Sequence, residues 1–158
     1  MSETRFRFLP ERCVGCGACV SACLDEHAFD LNDQRPWRCI SQTEQPPYQD
    51  QKAHITWYSH GCLHCAAPAC LDACPMGCFF PDPRTGTVQL TTDACIGCGL
   101  CLNACPHGAI QLTQSGHATK CNGCRQRLEQ GLPPRCAAAC PCKAILYTPS
   151  GDTHTHIY

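Results

Sequence analysis

The stretch Cys95-Ile-Gly-Cys98-Gly-Leu-Cys101-Leu-Asn-Ala-Cys105-Pro106 has four cysteines separated by two, two and three residues, with a proline after the last. Three other stretches repeat the four cysteines with the same or longer spacings, and in two of them a proline follows the last cysteine. The second group has four residues between its second and third cysteines, and the fourth group has eleven. In chain order the groups are Cys13, Cys16, Cys19 and Cys23; Cys62, Cys65, Cys70 and Cys74; Cys95, Cys98, Cys101 and Cys105; and Cys121, Cys124, Cys136 and Cys140.

The repeated spacing is that of the bacterial ferredoxin run, in which cysteine thiolates hold iron–sulfur clusters. Three closely spaced thiolates on one tight loop suit three corners of an iron–sulfur cube. Gly15, Gly17, Gly97 and Gly99 allow such loops to curl so that backbone N–H groups point at the sulfurs. The fourth cysteine is expected to open a helix and to bind the neighbouring cluster. The groups should therefore form pairs that exchange their fourth ligands.

Cysteine dominates the composition, because it accounts for 19 of 158 residues. The 12 Leu, 6 Ile, 3 Val and 5 Phe make only 26 of 158 residues, which is below the roughly 20% at which a chain struggles to bury a core. The net charge of −1 does not fit a highly charged disordered chain. Bonds between thiolates and metal are therefore expected to replace much of the aliphatic core.

Other classes of protein are disfavoured by the same sequence. No stretch approaches the roughly 18 apolar residues that span a bilayer, so direct membrane insertion is not expected. Residues 1–10 lack the apolar run of a secretory signal. This predicts a cytoplasmic protein, with export alongside a signal-bearing partner left open. An odd number of cysteines counts against a disulfide scaffold, and the lack of a basic block counts against nucleic acid.

Two other metal chemistries compete with the ferredoxin interpretation. A zinc-stabilised interaction module also uses pairs of cysteines two residues apart, but a zinc site does not need a third and fourth cysteine at these spacings before a proline. Colour separates the two, since a zinc protein is colourless and an iron–sulfur protein is brown. A radical-SAM activase needs a different cysteine triplet and a barrel of about 250 residues. This sequence has no such triplet and only 158 residues, so that class is disfavoured.

The segments between the groups predict an α+β fold made of two ferredoxin-like units, each with two [4Fe–4S] clusters, short antiparallel strands and short helices. Strands are predicted over 78–80, 87–91, 109–113 and 144–148, with a turn over 82–86. Groups two and three would form an inner unit over 55–115. Groups one and four would form an outer unit over 1–54 and 116–158. Three further expectations concern an irregular segment over 24–61, a short helix in 125–135 stopped by Gly131, and a strand-poor tail over 148–158.

At this point the pattern resembles a known family, the four-cluster iron–sulfur subunits of molybdenum and tungsten oxidoreductases. That family includes the iron–sulfur subunits of dimethyl sulfoxide reductase, polysulfide reductase, formate dehydrogenases and aldehyde oxidoreductases. The similarity covers about residues 5–148 and includes three local phrases. They are Cys62-Leu-His-Cys-Ala-Ala-Pro-Ala-Cys-Leu-Asp-Ala-Cys-Pro75, Asp93-Ala-Cys-Ile-Gly-Cys98 and His117-Ala-Thr-Lys-Cys-Asn-Gly-Cys124.

The resemblance implies four [4Fe–4S] clusters, each with one ligand taken from a second group. Some relatives have tryptophan where this protein has Cys98 and carry a three-iron cluster there, so Cys98 implies four complete cubes. The implied ligand sets are Cys13, Cys16, Cys19 and Cys140; Cys121, Cys124, Cys136 and Cys23; Cys95, Cys98, Cys101 and Cys74; and Cys62, Cys65, Cys70 and Cys105.

The resemblance also implies a function without substrate chemistry, in which the subunit relays electrons to or from a Mo/W-pterin catalytic subunit. The Cys13 cluster would lie nearest that subunit, followed by the Cys121, Cys95 and Cys62 clusters. A further redox subunit or carrier, whether flavin, quinone-linked or ferredoxin, would complete the path. A freely diffusing polyferredoxin is the alternative, although 12 basic and 13 acidic side chains give little of the acidic field that steers such carriers.

Several residues outside the four groups have both a functional and an ordinary interpretation. Three surplus cysteines could be redox-active or extra ligands, but are expected to be small buried thiols: Cys39, Cys78 and Cys142. The histidines His60, His64, His107 and His117 are expected to make hydrogen bonds near the clusters or to lie at the surface. The basic residues Lys120, Arg125 and Arg127 would offset cluster charge or face solvent, and the aromatic residues Trp37, Trp57 and Tyr58 would fill the core.

Overall fold

The computed structural model of the protein describes residues 5–46, 54–149 and 151. Its helices and strands are short and alternate along these residues. In chain order they are β1 (Phe6–Phe8), a 3-10 turn (Pro10–Arg12), α1 (Ala18–His27), β2 (Cys39–Gln45), β3 (His54–His60), α2 (Ala69–Asp72), β4 (Phe79–Pro81), β5 (Val88–Leu90), α3 (Leu100–Ala104), β6 (Ile110–Leu112), β7 (Ala118–Lys120), α4 (Arg125–Glu129), α5 (Arg135–Ala138) and β8 (Ile145–Tyr147).

The strands form antiparallel pairs, as the sequence predicts for an α+β fold of this size. β4 pairs with β5, and β6 with β7. The turn over 82–86 joins the first of these pairs, where the N–H of Gly86 donates to the carbonyl of Asp82 at 2.7 Å. The predicted strands near residues 79, 88, 110 and 145 are all present. The tail expectation falls largely on residues 150 and 152–158, which lie outside the described residues.

Pairing between β1 and β8 joins two segments that are far apart in the sequence. Phe6 lies opposite Tyr147 and Phe8 lies opposite Ile145. The N–H of Leu9 also donates to the carbonyl of Ala144 at 2.8 Å. Helices α1 and α5 pack against each other beside this pair. The result is that the helices of cysteine groups one and four are neighbours.

The segment over 24–61, expected to be irregular, contains the longest strands among the described residues. Residues of β2 pair with those of β3 from Cys39 opposite His60 to Gln45 opposite His54. Most of the hairpin's side chains are exposed, so its composition is polar and its strand character is hard to detect. The signal lies in β-branched and aromatic residues, which favour strands; β3 alone contains Ile55, Thr56, Trp57 and Tyr58.

Two small cores stabilise the structure, and cysteines belong to both. The first contains Phe6, Ile145 and Tyr147 with Cys19 and Cys136. The second consists of Cys78, Phe79, Val88, Cys101, Ile110 and Ala118. The division of the chain at residues 54/55 and 115/116 stays a prediction; the β2–β3 and β6–β7 hairpins each connect the two sides of one boundary.

Candidate iron–sulfur sites

A residue in the left-handed region precedes the second cysteine of every group. The residues are Gly15, His64, Gly97 and Gly123, with φ of +69°, +50°, +66° and +71°. This conformation reverses the chain direction within one residue and suits glycine, which has no Cβ to clash. It gives each loop the tight curl expected from the glycines. His64 is the exception in residue type, because it adopts the same conformation with a full side chain.

The loop of group three has no room for a side chain at Gly97. Alanine substitutions at Gly97 and at Gly108 should therefore differ in their effect on stability. A Cβ there would overlap the carbonyl oxygen of Gly116. Gly108 also has positive φ, at +56°, but a Cβ there would meet nothing within 4 Å. Gly108→Ala should cost about 1–2 kcal/mol, from the left-handed conformation alone. Gly97→Ala should cost about 1–3 kcal/mol more, because backbone must move.

Anaerobic thermal unfolding of the cluster-loaded protein measures this difference as a shift in midpoint. The midpoint of Gly97→Ala is compared with the midpoints of the wild type and of Gly108→Ala. Equal shifts for Gly97→Ala and Gly108→Ala would show that the close approach of Gly97 to Gly116 does not matter.

The expectation that the fourth cysteine opens a helix is wrong. The helices begin one residue before the third cysteine, as α3 begins at Leu100 and Cys101 follows. The fourth cysteine lies one turn later, and Cys105 caps the end of α3. Residues four apart lie on one face of a helix and are about 6 Å apart along its axis. The third and fourth cysteines are therefore presented on the same face, one turn apart.

Three cavities are each lined by four of the predicted ligands, three from one group and the fourth cysteine of another. The empty space in each is similar, at about 320, 380 and 340 Å³ with the adjoining open solvent included. Their walls are otherwise mainly apolar, as with Val14, Ile40 and Ile145 in the first. In the same order, the cysteines are Cys13, Cys16, Cys19 and Cys140; Cys62, Cys65, Cys70 and Cys105; and Cys95, Cys98, Cys101 and Cys74.

The remaining four predicted ligands lie close enough to affect one another's ionisation. Burial raises the pKa of Cys23 to about 12, and the nearby Cys121 and Cys136 thiolates raise it as well. Burial likewise raises the pKa of Cys124 to about 12, with Cys136 and Cys23 among the other causes. All four side chains are buried. The structure therefore brings Cys23 of group one to the three other cysteines, which belong to group four.

The donor sets fit iron–sulfur clusters in chemistry as well as in position. Within the described residues, no three His, Cys, Asp or Glu side chains are grouped as they would be around a single metal ion. Each of the three cavities is instead lined by four of the predicted cysteine ligands. Backbone N–H groups also donate to cysteine sulfurs, which favours the thiolate form that binds metal. These contacts, at 3.3–3.4 Å, are from Cys78 to Cys74, Ala118 to Cys95, Gly123 to Cys121, Arg135 to Cys124 and Ala144 to Cys140.

The loop of group four lies against group two, which contradicts the expected order of sites. A Cβ on Gly123 would be 3.3 Å from Nε2 of His64. Burial raises the pKa of Cys121 to about 12, and the charge of Cys62 is the next largest cause of the rise. The Cys121 site is therefore next to the Cys62 site. Groups two and three exchange ligands with each other, so either of their two sites could face group four. The cysteine spacing alone therefore cannot decide which of the two lies next to the Cys121 site.

A buried polar pair occupies the junction between the Cys62 and Cys121 sites. His64 is 1% exposed, and its Nδ1 accepts the N–H of Val88 at 3.0 Å. Burial and the charge of Lys120 hold the pKa of His64 well below its usual value. The neutral ring therefore carries its proton on Nε2, which has no hydrogen-bond partner in the described structure. Lys120 is 3% exposed and donates from Nζ to the carbonyl of Cys121 at 2.7 Å.

The surplus cysteines are not all buried, contrary to the expectation. Cys78 is buried beside Cys74 and lines the Cys95 cavity. Cys142 is half-buried in the wall of the Cys13 cavity. Cys39 is exposed, because it lies on the outer hairpin. Cys78 therefore fits the expectation and Cys39 contradicts it.

The other predicted residues take different roles around the sites. Trp57 lies over Gly15, where a Cβ would overlap the indole. Trp37 donates from Nε1 to Thr119 at 2.8 Å. Tyr58 is exposed on β3 and contacts the ring of His60, while His107 and His117 are also exposed. Arg125 pairs with Glu129 at 3.2 Å, and Arg127 pairs with Glu26 at 3.5 Å.

Three residues that sequence reasoning missed contact the sites from the segment over 24–61. Ser59 Oγ lies 3.4 Å from Cys19 Sγ, and His27 Nε2 lies 3.6 Å from Cys124 Sγ. Arg38 is buried, which by itself lowers its pKa. The four surrounding cysteine thiolates raise the pKa of Arg38 above its ordinary value. These residues belong to no cysteine motif, so no pattern in the sequence marks them.

Comparisons with known proteins match most of the sequence. A 4Fe-4S dicluster domain matches residues 53–149, and a 4Fe-4S binding domain matches residues 6–23. The B subunit of the anaerobic dimethyl sulfoxide reductase of Haemophilus influenzae is 36% identical over 98% of this protein and 78% of its own length. The corresponding B subunit of Escherichia coli is 37% identical over 87% of this protein and 69% of its own length.

A further relative carries a different name. Protein NrfC of Escherichia coli is 33% identical over 92% of this protein and 65% of its own length. In the described residues, no helix has both the length and the apolar character needed to cross a membrane.

Proposed function

We propose a function for this protein, which belongs to the 4Fe-4S dicluster family and is related to the B subunits of anaerobic dimethyl sulfoxide reductases. It is an electron-transfer iron–sulfur subunit that relays single electrons through four [4Fe–4S] clusters and catalyses no substrate reaction itself. A [4Fe–4S] cluster, when bound, accepts and releases one electron at a potential that its surroundings adjust. The observation that carries this proposal is the set of cavities that combine cysteines from two groups.

Each cluster would take three ligands from one group and one from that group's partner. The cavity walls support three of these sets, and the mutual proximity of buried thiols supports the fourth. The division into an outer pair and an inner pair follows from the same exchange. The proposed sets are Cys13, Cys16, Cys19 and Cys140; Cys121, Cys124, Cys136 and Cys23; Cys62, Cys65, Cys70 and Cys105; and Cys95, Cys98, Cys101 and Cys74.

The relay runs in the order Cys13, Cys121, Cys62 and Cys95, and its two ends are the exposed ones. Cys16 and Cys98 are exposed, whereas every ligand of the Cys121 site is buried. An exposed apolar side chain lines each of these two cavities, Val14 at 60% and Ile96 at 65% exposure. Exposed apolar surface around a site is typical of docking to another protein. This supports a fixed subunit more than a freely diffusing polyferredoxin.

The partners of this subunit follow from this arrangement and from its relatives. A Mo/W-pterin catalytic subunit, of a formate, aldehyde or sulfur/N-oxide oxidoreductase, would dock at the Cys13 end. A flavin or quinone-linked subunit, or a ferredoxin, would exchange electrons at the Cys95 end. Purifying the native protein under anaerobic conditions and identifying the attached subunits tests this. Recovery of the protein alone, with full cluster content, would favour the diffusing carrier.

Metal analysis tests the number and kind of clusters directly. The anaerobically purified protein should contain about sixteen iron atoms and about sixteen acid-labile sulfides per chain, the content of four cubes. It should be brown and contain no stoichiometric zinc. About eight irons would reduce the proposal to one pair of clusters, and zinc without sulfide would replace it with the interaction module.

A further inference from the structure

Arg38 is a cation enclosed by the structure rather than exposed to solvent. Its side chain is 4% exposed, although arginine is almost never fully buried without a partner. In the part of the chain that the structure describes, no carboxylate lies within ion-pair distance of Arg38. An unpaired buried charge is strongly unfavourable. Something other than Asp or Glu must therefore balance Arg38.

The charges that face Arg38 belong to the proposed cluster ligands of the outer pair. Cys19 belongs to the Cys13 set, and Cys23, Cys121 and Cys136 belong to the Cys121 set. The guanidinium therefore lies near ligands of both proposed outer sites. Gly61 makes room for it, because a Cβ at that position would lie 2.9 Å from both Cζ and Nη2 of Arg38.

A series of hydrogen bonds connects Arg38 to one of these ligands. Nη1 of Arg38 donates to Ser59 Oγ at 3.0 Å. Ser59 Oγ lies 3.4 Å from Cys19 Sγ, and either atom of that contact could be the donor. Cys19 carries no proton when it binds iron, so Ser59 must donate to the sulfur. The guanidinium then polarises the hydroxyl that it donates to, which strengthens the bond to the sulfur.

We propose that Arg38 and Ser59 set the reduction potentials of the two outer clusters, with Arg38 acting on both and Ser59 acting on the Cys13 cluster alone. The inference rests on the proposed function, since it requires clusters on these cysteines. Adding one electron to a cluster increases its negative charge by one. A buried cation and a hydrogen bond to a ligand sulfur both stabilise the more negative form, so both raise the potential.

The effect should be largest at the outer pair. Low dielectric around Arg38 strengthens its interaction with nearby groups, and the thiolates that raise its pKa most all belong to the two outer sets. Neither Arg38 nor Ser59 binds iron, so both are positioning residues. A hairpin that interrupts the cysteine repeat would thus adjust the energies of the clusters beside it.

The test is an anaerobic redox titration of the full, cluster-loaded protein, followed by EPR. Signals are assigned to clusters by their loss in Cys140→Ser and Cys23→Ser. Arg38→Gln should reduce the one-electron equilibrium constant of both outer clusters at least tenfold, or about 59 mV. Ser59→Ala should lower the potential of the Cys13 cluster alone. Arg38→Lys should leave the Cys121 cluster nearer to wild type than Arg38→Gln does.

Arg35→Gln is the matched control, because Arg35 is three residues away and exposed. The same shift in Arg35→Gln, or an equal shift of all four clusters in Arg38→Gln, would overturn the proposal. If Arg38→Gln loses iron, the test rests on Ser59→Ala. An unchanged reduction potential of the Cys13 cluster in that variant would overturn the proposal. Wild type that lacks four EPR-active clusters would instead contradict the proposed function.

Discussion

Replacing Cys140 by serine should remove the cluster of group one and leave the cluster of group four in place. Cys140 lines the cavity of Cys13, Cys16 and Cys19, more than 100 residues away along the sequence. The cluster of group four keeps its own three cysteines and Cys23. Iron content should fall from about sixteen to about twelve per chain, the loss of one cube. Iron analysis with EPR measures this loss.

The protein supplies a matched control and a converse variant. Cys142 lies two residues from Cys140 and lines the same cavity, but belongs to no proposed ligand set. Cys142→Ala should keep all the iron, and the double variant shows whether Cys142 replaces Cys140 as a ligand. Cys23→Ser should remove the cluster of group four and spare that of group one. If each variant harms only its own group's cluster, the exchange of ligands is refuted.

Removing the clusters should abolish cooperative unfolding altogether. Both hydrophobic cores include cysteine side chains, and the aliphatic residues around them are few. A domain's whole stability is about 5–15 kcal/mol, whereas a single structural zinc site contributes about 10–16 kcal/mol to folding. Several clusters should therefore supply more than the entire margin. Circular dichroism during heating, under anaerobic and reducing conditions, should show a transition only in the loaded protein.

Reconstitution separates loss of metal from damage during its removal. Iron and sulfide added back to the chelated protein should restore both the brown colour and the cooperative transition. A chelated, reduced protein that still unfolds cooperatively near the original temperature would show that packing alone holds the fold.

The cysteine spacing predicted most of what surrounds the sites, because loop geometry is encoded locally. The positive φ of Gly15 and Gly97 before the second cysteine and the short strands near residues 79, 88, 110 and 145 could be predicted from the repeat. The α+β fold and the 4Fe-4S family followed from the same spacing. Each of these features depends on residues within a few positions of a cysteine.

Contacts between distant segments that involve no cysteine could not be predicted. The packing of Gly123 against His64, which corrects the order of sites, joins two different cysteine groups, and the cysteine spacing says nothing about it. Ser59 lies in the polar β2–β3 hairpin and Arg38 immediately before it, in sequence that resembles ordinary surface. The helices also begin about one turn earlier than expected, before the third cysteine instead of at the fourth. Three residues between these two cysteines are compatible with a helix that ends at the fourth cysteine or with one that begins there.

The β1–β8 pairing brings cysteine group one next to group four, at the other end of the cysteine-containing sequence. This affects the order in which the proposed sites are completed during synthesis. The proposed inner sets are complete once Cys105 has left the ribosome, whereas the Cys13 set must wait for Cys140. The intervening 35 residues, 140 minus 105, take about 2–7 s to translate at about 5–20 residues per second. During that delay the thiols of Cys13, Cys16 and Cys19 are without their fourth partner and open to oxidation. The proposed Cys13 set, whose first three cysteines are made before those of any other set, is therefore the last of the four to be completed.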